Sequence, residues 1–459
     1  MNARNSHCTG RGVLLLAAAV MFAAAANAQT YDREIEKYVW NIDNNVNGIR
    51  LGTARSVSYA RLFGGAQAGG FRDFSDAVSS WNAGAGVRSL TQLERFSMIG
   101  GFSFEQKQGE QMCGSMLIHP GSYPVDVYEF TPGGKTLQTY SFDGGISVDM
   151  GEHWRIGAAI DFLSANYAKR KDLRHMNYRL DMKVAPGVQY HEGDVAIGLS
   201  YIYKRNSETV SADQIGTGEA TYYAFLDKGL QYGVYQPWTG AGVHLSEAGV
   251  SGLPFREASH GSALQIQAGG AFLELEYLHS AGVAGEKQNI WFRFPGNSFT
   301  LRWNEKWGVP GNMHFTRMSW SLSEGRNHET VLEKVTSQGV STMVEYGQNL
   351  ISTVRGNDYS LHYVFMGRHL QLESGVDRSR KSTLASQYYP YKVMQHLRQT
   401  SWMLSAIWRS GRWEASAAGA FKNGRWSRES SLAAEDSGVN DAMYLHEGIS
   451  DITMEYATA

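Results

Sequence analysis

The residues best suited to chemistry in this 459-residue chain lie beside predicted turns or alternate along predicted strands. His153 lies close to Asp149, a pairing that could act as a base with an orienting carboxylate. Glu274 and Glu276 alternate on one strand face, a spacing found in paired carboxylates. Polar residues are expected at turns and on a solvated wall, and the sequence contains no G-x-S-x-G, H-E-x-x-H, Walker or dinucleotide motif. We therefore predict no catalytic residues and no enzyme, a barrel-embedded hydrolase being the least favoured alternative.

The composition excludes several classes of protein. With 42% apolar and 19% charged residues, 51 Gly and 9 Pro, the chain is not disordered, collagen-like or a coiled coil. A formal net charge of −2 gives no basic excess, so we predict no nucleic-acid partner. Two cysteines make no disulfide scaffold, and no Cys/His cluster has zinc-ligand spacing, so we predict no metal and no cofactor.

The first 28 residues have the pattern of a signal peptide. Arg4 and Arg11 precede an apolar run over 13–26, and the small-x-small site at 26–28 predicts cleavage after residue 28. The rest of the sequence contains no window of 18 consecutive apolar residues, so no transmembrane helix is predicted. An exported soluble protein and a membrane β-barrel both remain possible on these observations.

Alternation along the chain favours the barrel. From Trp154 to Phe162, large apolar residues alternate with Arg155, Asp161 and small residues, which is the period of a strand. On several of these strands, an aromatic residue stands at each end of the apolar face, and the two aromatics are eight residues apart. Eight residues of a tilted barrel strand rise about 20 Å, which is close to the roughly 25 Å apolar band of outer-membrane barrels. The predicted lipid-facing girdle is Phe96, Phe104, Trp154, Phe162, Tyr190, Trp408, Trp413 and Phe421. The predicted lumen-lining residues are Arg155, Asp161, Arg179, Asp181, Lys183, Gln265, Glu274, Arg412 and Glu414.

A soluble β-sandwich or β-helix would also alternate, but it would not bury mid-strand charges, whereas a wet lumen accepts them. Because the lumen charges carry both signs, we predict ion pairs that brace a filled or constricted interior. Short Gly-containing turns alternate with long polar stretches over 106–135, 204–260 and 378–395, as in barrels with long outer loops. The predicted turn pairs are Tyr190 with Val195, Ile266 with Leu273, Phe365 with Leu370, Trp408 with Trp413, and Val148 with Trp154.

The predicted fold is therefore all-β, a single-chain transmembrane antiparallel β-barrel of 14 to 16 strands over residues 56–459, with a short N-terminal helical segment. Strand edges cannot stay unpaired in lipid, so the ring should close with an even number of strands. Residues 29–55 form a predicted N-terminal segment in which Ile35, Tyr38, Val39 and Ile42 have helical spacing. This segment could plug the lumen, rest on the periplasmic rim or be a frayed tail.

Two further regions leave alternatives open. The stretch 204–260 is predicted to be a capture loop, a lid or a hidden hairpin, since loops of this length usually carry a function. The chain ends on Ala459 rather than on the aromatic residue common at barrel C-termini. Either the final strand is 448–456 with a short tail, or the insertion signal is atypical.

Several stretches carry a resemblance to a known family. They are 59–74 (YARLFGGAQAGGFRDF), 100–105 (GGFSFE), and 168–187 (AKRKDLRHMNYRLDMKVAPG) followed by 198–201 (GLSY). They look like an uncharacterised outer-membrane β-barrel family of the Bacteroidota, a domain of unknown function, over most of the chain that follows the signal peptide. The resemblance implies location and fold, and no activity. In layout the chain also resembles fatty-acid-transporter-type barrels, an analogy of architecture.

The predicted location is the outer membrane of a Gram-negative bacterium, after export. The predicted function is passive transport, or a channel, for a small molecule that could be apolar. The alternative is a structural or export-machinery barrel that anchors or assembles surface components through its long outer loops. The predicted partners are outer-membrane lipid, the barrel insertion machinery and a periplasmic or surface protein.

Overall fold

The computed structural model describes residues 35, 37–52, 56–70, 75–213, 222–230, 233–238, 253–287, 289–337, 339–386, 392–410 and 413–430. The predicted signal peptide, the predicted final strand at 448–456 and the predicted lumen residue Arg412 lie outside the described residues. No helix in these ranges is long and apolar enough to cross a membrane.

Antiparallel strands make up almost all of the regular structure. They are β1 (Ser56–Ala68), β2 (Ser79–Gln92), β3 (Phe96–Ser115), β4 (Asp126–Asp149), β5 (Trp154–Lys169), β6 (Arg174–Glu192), β7 (Val195–Asp213), β8 (Tyr222–Asp227), β9 (Gly233–Trp238), β10 (Leu253–Ala268), β11 (Ala271–Gly285), β12 (Ile290–Val309), β13 (Asn312–Ser337), β14 (Val340–Gly367), β15 (Leu370–Ala385), β16 (Val393–Ser410) and β17 (Trp413–Ser430). In the part of the chain that the structure describes, one 3-10 helix, Val46–Leu51, precedes β1.

The strands are joined as a meander. Each long strand pairs with the next long strand along the chain, and β7 pairs with β10 because the short hairpin β8–β9 is set aside. The fifteen long strands, here called the wall, curve around residues 37–52, here called the inner segment. Side chains of the segment donate hydrogen bonds to β6 and β11, and side chains of β2 and β12 donate to its backbone carbonyls. The predicted antiparallel β-barrel of 14 to 16 strands is therefore confirmed. In the described ranges β1 pairs with β2 and β17 with β16, so the even strand count stays a prediction.

The connections differ between the two ends of the wall. At one end, here called the turn end, hairpins close with tight turns at 193–194, 269–270, 310–311 and 368–369. Gly193, Gly269 and Gly311 have φ of +56°, +57° and +87°, values that favour glycine. At the other end, the loop end, the strands continue into long ribbons, and β13 and β14 have 26 and 28 residues. The predicted loops 106–135 and 378–395 are therefore largely strand, because backbone pairing continues into polar sequence.

The predicted helix is displaced along the chain. The i, i+3, i+4, i+7 spacing predicts a helix around Ile35 to Ile42, but the chain from Lys37 to Asn45 makes turns, and the 3-10 helix follows it. The apolar residues of this stretch are held by the wall rather than by helical neighbours. Val39 and Trp40 are buried against β11, β13 and β14. The predicted alternatives for residues 29–55, a plug, a rim element or a frayed tail, stay predictions.

The predicted strand registers have the correct faces but mostly the wrong partners. Ile266 pairs with Leu273 as predicted. In the other four hairpins the partner lies two residues further along the second strand, so that Phe365 pairs with Leu372 rather than Leu370. The same displacement joins Tyr190 to Ile197, Trp408 to Ala415 and Val148 to Ile156. A two-residue shift preserves the side of the sheet, because side chains alternate with a period of two.

The exposed outer face of the wall is apolar, whereas the exposed face of a sheet in a soluble protein is polar. Outward-pointing Trp154, Leu199 and Phe421 are 51%, 53% and 63% exposed. Inward-pointing Gln265 and Glu274 are both 0% exposed. Apolar side chains thus surround the wall, while its interior contains buried polar side chains together with apolar clusters.

Cysteine pairs on β14 and β15 test the register. In a Cys113→Ser background, Phe365→Cys with Leu372→Cys should form a disulfide on mild oxidation, because directly opposite Cβ atoms lie about 4.5–5.5 Å apart. Phe365→Cys with Leu370→Cys is the matched control, a diagonal pair about 7–8 Å apart that should cross-link slowly. Mobility on non-reducing gels gives the yield. A higher yield from the control pair would contradict the register.

Candidate functional site: the filled lumen

Two buried carboxylates on β11 hold the inner segment. Asn41 Nδ2 donates to Glu274 Oε1 at 2.9 Å, and Asn44 Nδ2 donates to Glu276 Oε2 at 2.6 Å. Arg302 of β12 contacts both carboxylates, with Nη1 2.8 Å from Glu276 Oε2. Hydrogen bonds to charged groups contribute about 1.5–3 kcal/mol each when formed, and a buried charge left without them is costly. This group of five residues, here called the lumen lock, therefore attaches the inner segment to the wall through polar contacts alone.

Four glycines on β4 to β7 form a shallow seat beneath the inner segment. A Cβ at Gly198 would lie 2.7 Å from Asn45 Nδ2 and 2.7 Å from Trp40 Cζ2, which is closer than real Cβ contacts. At Gly145, Gly157 and Gly187 a Cβ would likewise lie within 3 Å of Val46, Asn47 or Asn45. The absence of side chains lets the segment approach the backbone of the wall. Asn47 Nδ2 donates to the Gly187 carbonyl at 3.0 Å and Asn45 Nδ2 to the Val188 carbonyl at 3.3 Å.

A second set of polar contacts ties the segment to the turn end. Arg50 Nη1 donates to the Leu93 carbonyl at 2.6 Å, and its Nη2 to the Glu94 carbonyl at 2.8 Å. The same guanidinium pairs with Asp149, whose other oxygen lies 3.1 Å from Arg155 Nε. Asp149 thus links a residue of the segment to a residue of the wall.

The middle of the lumen carries an ion-pair network. Arg179 Nε lies 2.9 Å from Asp181 Oδ2, and Arg179 Nη1 lies 3.4 Å from Glu208 Oε2. Lys183 Nζ lies 3.7 Å from Asp161 Oδ2 on the neighbouring strand. These pairs join β5, β6 and β7 across the inner face. Their mixed signs brace the interior and do not present one charge to a passing ion.

The loop end is filled by what we call the cap: the connection between β3 and β4 (116–125) together with the hairpin β8–β9. Tyr123 of the connection stacks on Phe255 with ring centroids 4.4 Å apart and meets the edge of Phe294 at 6.1 Å. Its hydroxyl donates to Asn206 Oδ1, and burial raises the pKa of the Tyr123 phenol above its usual range, so it stays a donor. The buried apolar cluster of the cap also contains Met116, Leu117, Val125, Val127, Leu173, Leu226, Leu253, Trp291 and Phe292.

The hairpin of the cap extends across the loop end. Strand β8 pairs with the first residues of β4, through Asp126–Asp227 and Glu129–Ala224. Lys228, just after β8, forms an ion pair with Glu329 of β13, with Nζ and Oε1 2.7 Å apart. The stretch 204–260 therefore contains the hidden hairpin of the sequence alternatives, and this hairpin joins opposite sides of the wall.

The structure places the predicted lumen residues as follows. Arg155, Gln265 and Glu274 are buried on the inner face, and Asp161, Arg179, Asp181 and Lys183 are half-buried there. Glu414 has the inner-face position on β17 and pairs with Arg409 at 2.6 Å. The predicted girdle residues Phe96, Phe104, Trp154, Phe162, Tyr190, Trp408, Trp413 and Phe421 have the outward positions of their strands.

Sequence reasoning missed the asparagines and glycines that seat the segment. Asn41, Asn44, Asn45 and Asn47 occur within seven residues, a density of short amide side chains that could have indicated an internal hydrogen-bonding segment. Glycines are frequent in β-rich sequences, so no comparable signal marked the seat.

A cavity of about 490 Å³ lies beside the inner segment at the turn end. Its lining is largely apolar, with Val39, Trp40, Leu51 and Met313, and it also includes the two lysines Lys37 and Lys306. Small-molecule sites commonly occupy about 300–1,000 Å³. Among the described residues, no group of three or more His, Cys, Asp or Glu side chains is arranged to hold a metal ion.

Comparison with known proteins gives a family. A model described as a Family of unknown function (DUF6850) matches residues 48–458, and the chain belongs to this family. The expected membership of an uncharacterised family is thereby confirmed, and its restriction to the Bacteroidota stays a prediction. No curated protein matches the chain.

Several solved structures are similar in general β architecture. The FrpB iron transporter from Neisseria meningitidis is 7% identical with a TM-score of 0.35, covering 78% of this chain and 71% of its own. The alcaligin outer membrane receptor FauA from Bordetella pertussis is 9% identical with a TM-score of 0.34, covering 82% and 72%. The RagAB peptide importer in its closed-closed state is 10% identical with a TM-score of 0.37, covering 83% of this chain, which spans 50% of that one. These are transporters and receptors rather than the fatty-acid transporters of the sequence analogy, and such TM-scores support no conclusion about substrate.

The glycine seat gives a direct test of how the segment is held. Gly198→Leu should displace the inner segment, since overpacking costs about 1–3 kcal/mol and 1.4 kcal/mol is tenfold in an equilibrium. In a Cys113→Ser, Val46→Cys background, the rate of maleimide labelling at Val46→Cys should rise about tenfold or more. Gly325→Leu is the control, because a Cβ there meets nothing within 4 Å. Equal labelling rates in the two variants would contradict the seat.

Proposed function

We propose that this protein is an outer-membrane β-barrel of a Gram-negative bacterium that passes a small molecule, with the inner segment and the cap as its two gates. The observation that carries this proposal is the lumen lock. Asn41 and Asn44 hold the segment to Glu274 and Glu276 by hydrogen bonds that water can replace, and Arg302 of the wall pairs with both carboxylates. These carboxylates would keep Arg302 as a partner if the segment moved, so its release would not leave them as unpaired charges.

The membrane location is supported by the outer face. Wall residues with 40–60% exposure include Ile156, Tyr178, Leu199 and Trp402, and such a broad apolar surface suits lipid. Export through the signal peptide at 1–28 would deliver the chain to the periplasm. Short turns would then face the periplasm and the cap the cell surface, as in other outer-membrane barrels. Lipid and the insertion machinery are the partners that this location implies.

Passive transport of a small molecule is supported by the cavity near Trp40, whose volume and apolar lining suit a small ligand, an apolar one included. It lies between the inner segment and the wall, so a moving segment would open or close it. The polar network around Arg179 would separate this cavity from the cap. We propose no enzymatic role; lipid hydrolysis by the purified protein in detergent would be the result against this.

The two filled ends favour one further candidate, a structural or export-machinery barrel. A lumen occupied by the inner segment at one end and by the cap at the other could serve as a rigid platform whose outer ribbons hold a surface component. Such a barrel would show no conductance in planar bilayers, even in variants that loosen the two gates. Its removal from cells would deplete surface proteins or polysaccharide.

The lipid-facing assignment is tested by charge placed at two depths on β7. Leu199→Arg should lower the free energy of unfolding from lipid bilayers by about 2–4 kcal/mol, as for arginine at the midplane of a barrel. Val195→Arg, outward on the same strand beside the turn, is the control and should cost about 0–1 kcal/mol. Urea titration of liposome-reconstituted protein measures both. Equal effects would place β7 outside the hydrocarbon and contradict the membrane proposal.

The gating proposal is tested by loosening both ends. Asn41→Asp with Asn44→Asp sets new negative charges against Glu274 and Glu276, and Tyr123→Ala removes the aromatic stack of the cap. The triple variant should show stepwise conductance in planar bilayers without an energy source. The wild type should show almost no conductance under the same conditions.

The control for this experiment is Asn312→Asp, at an exposed turn, combined with Tyr178→Ala on the outer face. It makes the same kinds of substitution away from both gates and should behave like the wild type. The triple variant could show no conductance although it migrates as a folded barrel on an unboiled gel. That result would contradict gating and favour the structural barrel.

A further inference from the structure

Three arginines on neighbouring strands lie side by side on the outer surface of the wall. Arg380 of β15 is directly opposite Arg398 of β16, and Arg398 is directly opposite Arg425 of β17. All three are exposed. They share the outward parity of Trp402 and Phe421, whose rings stack with centroids 5.6 Å apart. We call this set the arginine row.

Such a row is unfavourable without a counter-ion. Directly opposite residues in an antiparallel pair have Cβ atoms about 4.5–5.5 Å apart, and like charges there destabilise the pairing. Within the described ranges, no carboxylate forms an ion pair with any member of the row. Glu324, the nearest outward carboxylate on β13, is paired with Arg326 at 2.8 Å and with Arg355 at 3.1 Å. The cost of the row would be relieved by an external anion.

One side of the row borders a surface depression of about 560 Å³. Arg380, Arg398, Ser382 and His396 line its side nearest the row, and Glu324, Tyr277, Phe299 and Leu322 line its far side. Glu324 is already paired with Arg326 and Arg355. Ser382 is directly opposite His396 and Arg355, two residues from the row towards the loop end. Guanidinium groups bind phosphate oxygens in a bidentate manner, and a hydroxyl can add a further bond, so the side nearest the row has the chemistry of a phosphate site.

The same strands carry an apolar surface on the turn-end side of the row. Trp402, Leu404 and Phe421 are 46%, 62% and 63% exposed there. Arg398 and Trp402 are four residues apart, which is about 13 Å along a strand. A ligand that fits both features has a phosphate at one end and hydrocarbon at the other. A free phosphate would use the row and leave the apolar surface bare.

We propose that the arginine row binds the phosphate of a lipid headgroup in the leaflet at the loop end, with the acyl chains lying on the outward face of β16 and β17. This rests on the proposed membrane location. The row makes the lipid contact specific for charge, because neutral or zwitterionic headgroups do not compensate three adjacent guanidinium groups.

The experiment compares lipid binding by the full-length protein in detergent. Native mass spectrometry with phosphatidic acid, phosphatidylcholine and inorganic phosphate as separate probes should give at least tenfold tighter binding of phosphatidic acid than of either other probe. The variant Arg380→Gln, Arg398→Gln, Arg425→Gln should lose this preference. The control Arg61→Gln, Arg205→Gln, Arg293→Gln removes the same charge elsewhere on the wall and should keep the preference.

Each outcome separates the possibilities. Equal phosphatidic acid binding by the wild type and the row variant, with both migrating natively on an unboiled gel, would overturn the proposal. If inorganic phosphate bound as tightly as phosphatidic acid, the row would be a site for free phosphate, and the proposal of a lipid headgroup would be overturned. Failure of the membrane proposal is seen independently in the β7 unfolding experiment, which does not involve the row.

Discussion

The width of the wall is the constraint on which the rest of the structure depends. Small barrels of about eight strands can be filled by their own inward side chains, whereas wider ones enclose a lumen or need a plug. Fifteen long strands leave such a space, and this chain fills it with its own N-terminal segment and with connections from the loop end. The filling is held by both kinds of contact: buried apolar clusters pack it against the wall, and amides, carboxylates and guanidinium groups hydrogen-bond to it.

The two fillings are held through different residues. The inner segment sits on bare glycine backbone and attaches through Asn41 and Asn44 to carboxylates of the wall. The cap is an apolar cluster around Tyr123 and Phe255, with Glu129 buried between Lys135 and Lys169. The inner segment also buries Val39, Trp40, Val46 and Ile49 against the wall, so both fillings combine polar and apolar contacts. Movement of either one in the proposed transport would have to expose apolar surface as well as replace hydrogen bonds.

The outer surface is organised along the same axis. Apolar and aromatic side chains occupy the outward positions of the central wall, and the arginine row follows them towards the loop end. One surface therefore combines the hydrocarbon contact required of a membrane wall with a charge pattern suited to anionic headgroups. In the proposed membrane location the outer face would meet lipid and the inner face water, which accounts for their opposite polarity.

The sequence by itself determined the strands and their two faces, because side-chain alternation is a property of the local backbone and survives any even shift of register. It assigned Arg155 and Glu274 inward and Trp154 outward without knowledge of their partners. Only the tertiary structure decided that Phe365 meets Leu372, that polar stretches continue as strand, and that the segment around Asn44 occupies the lumen. The position of the segment depends on contacts between residues far apart in the chain, such as Asn44 with Glu276, 232 positions away. Local periodicity carries no information about such distances, since pairing energy and the space inside the wall exist only once the strands have assembled.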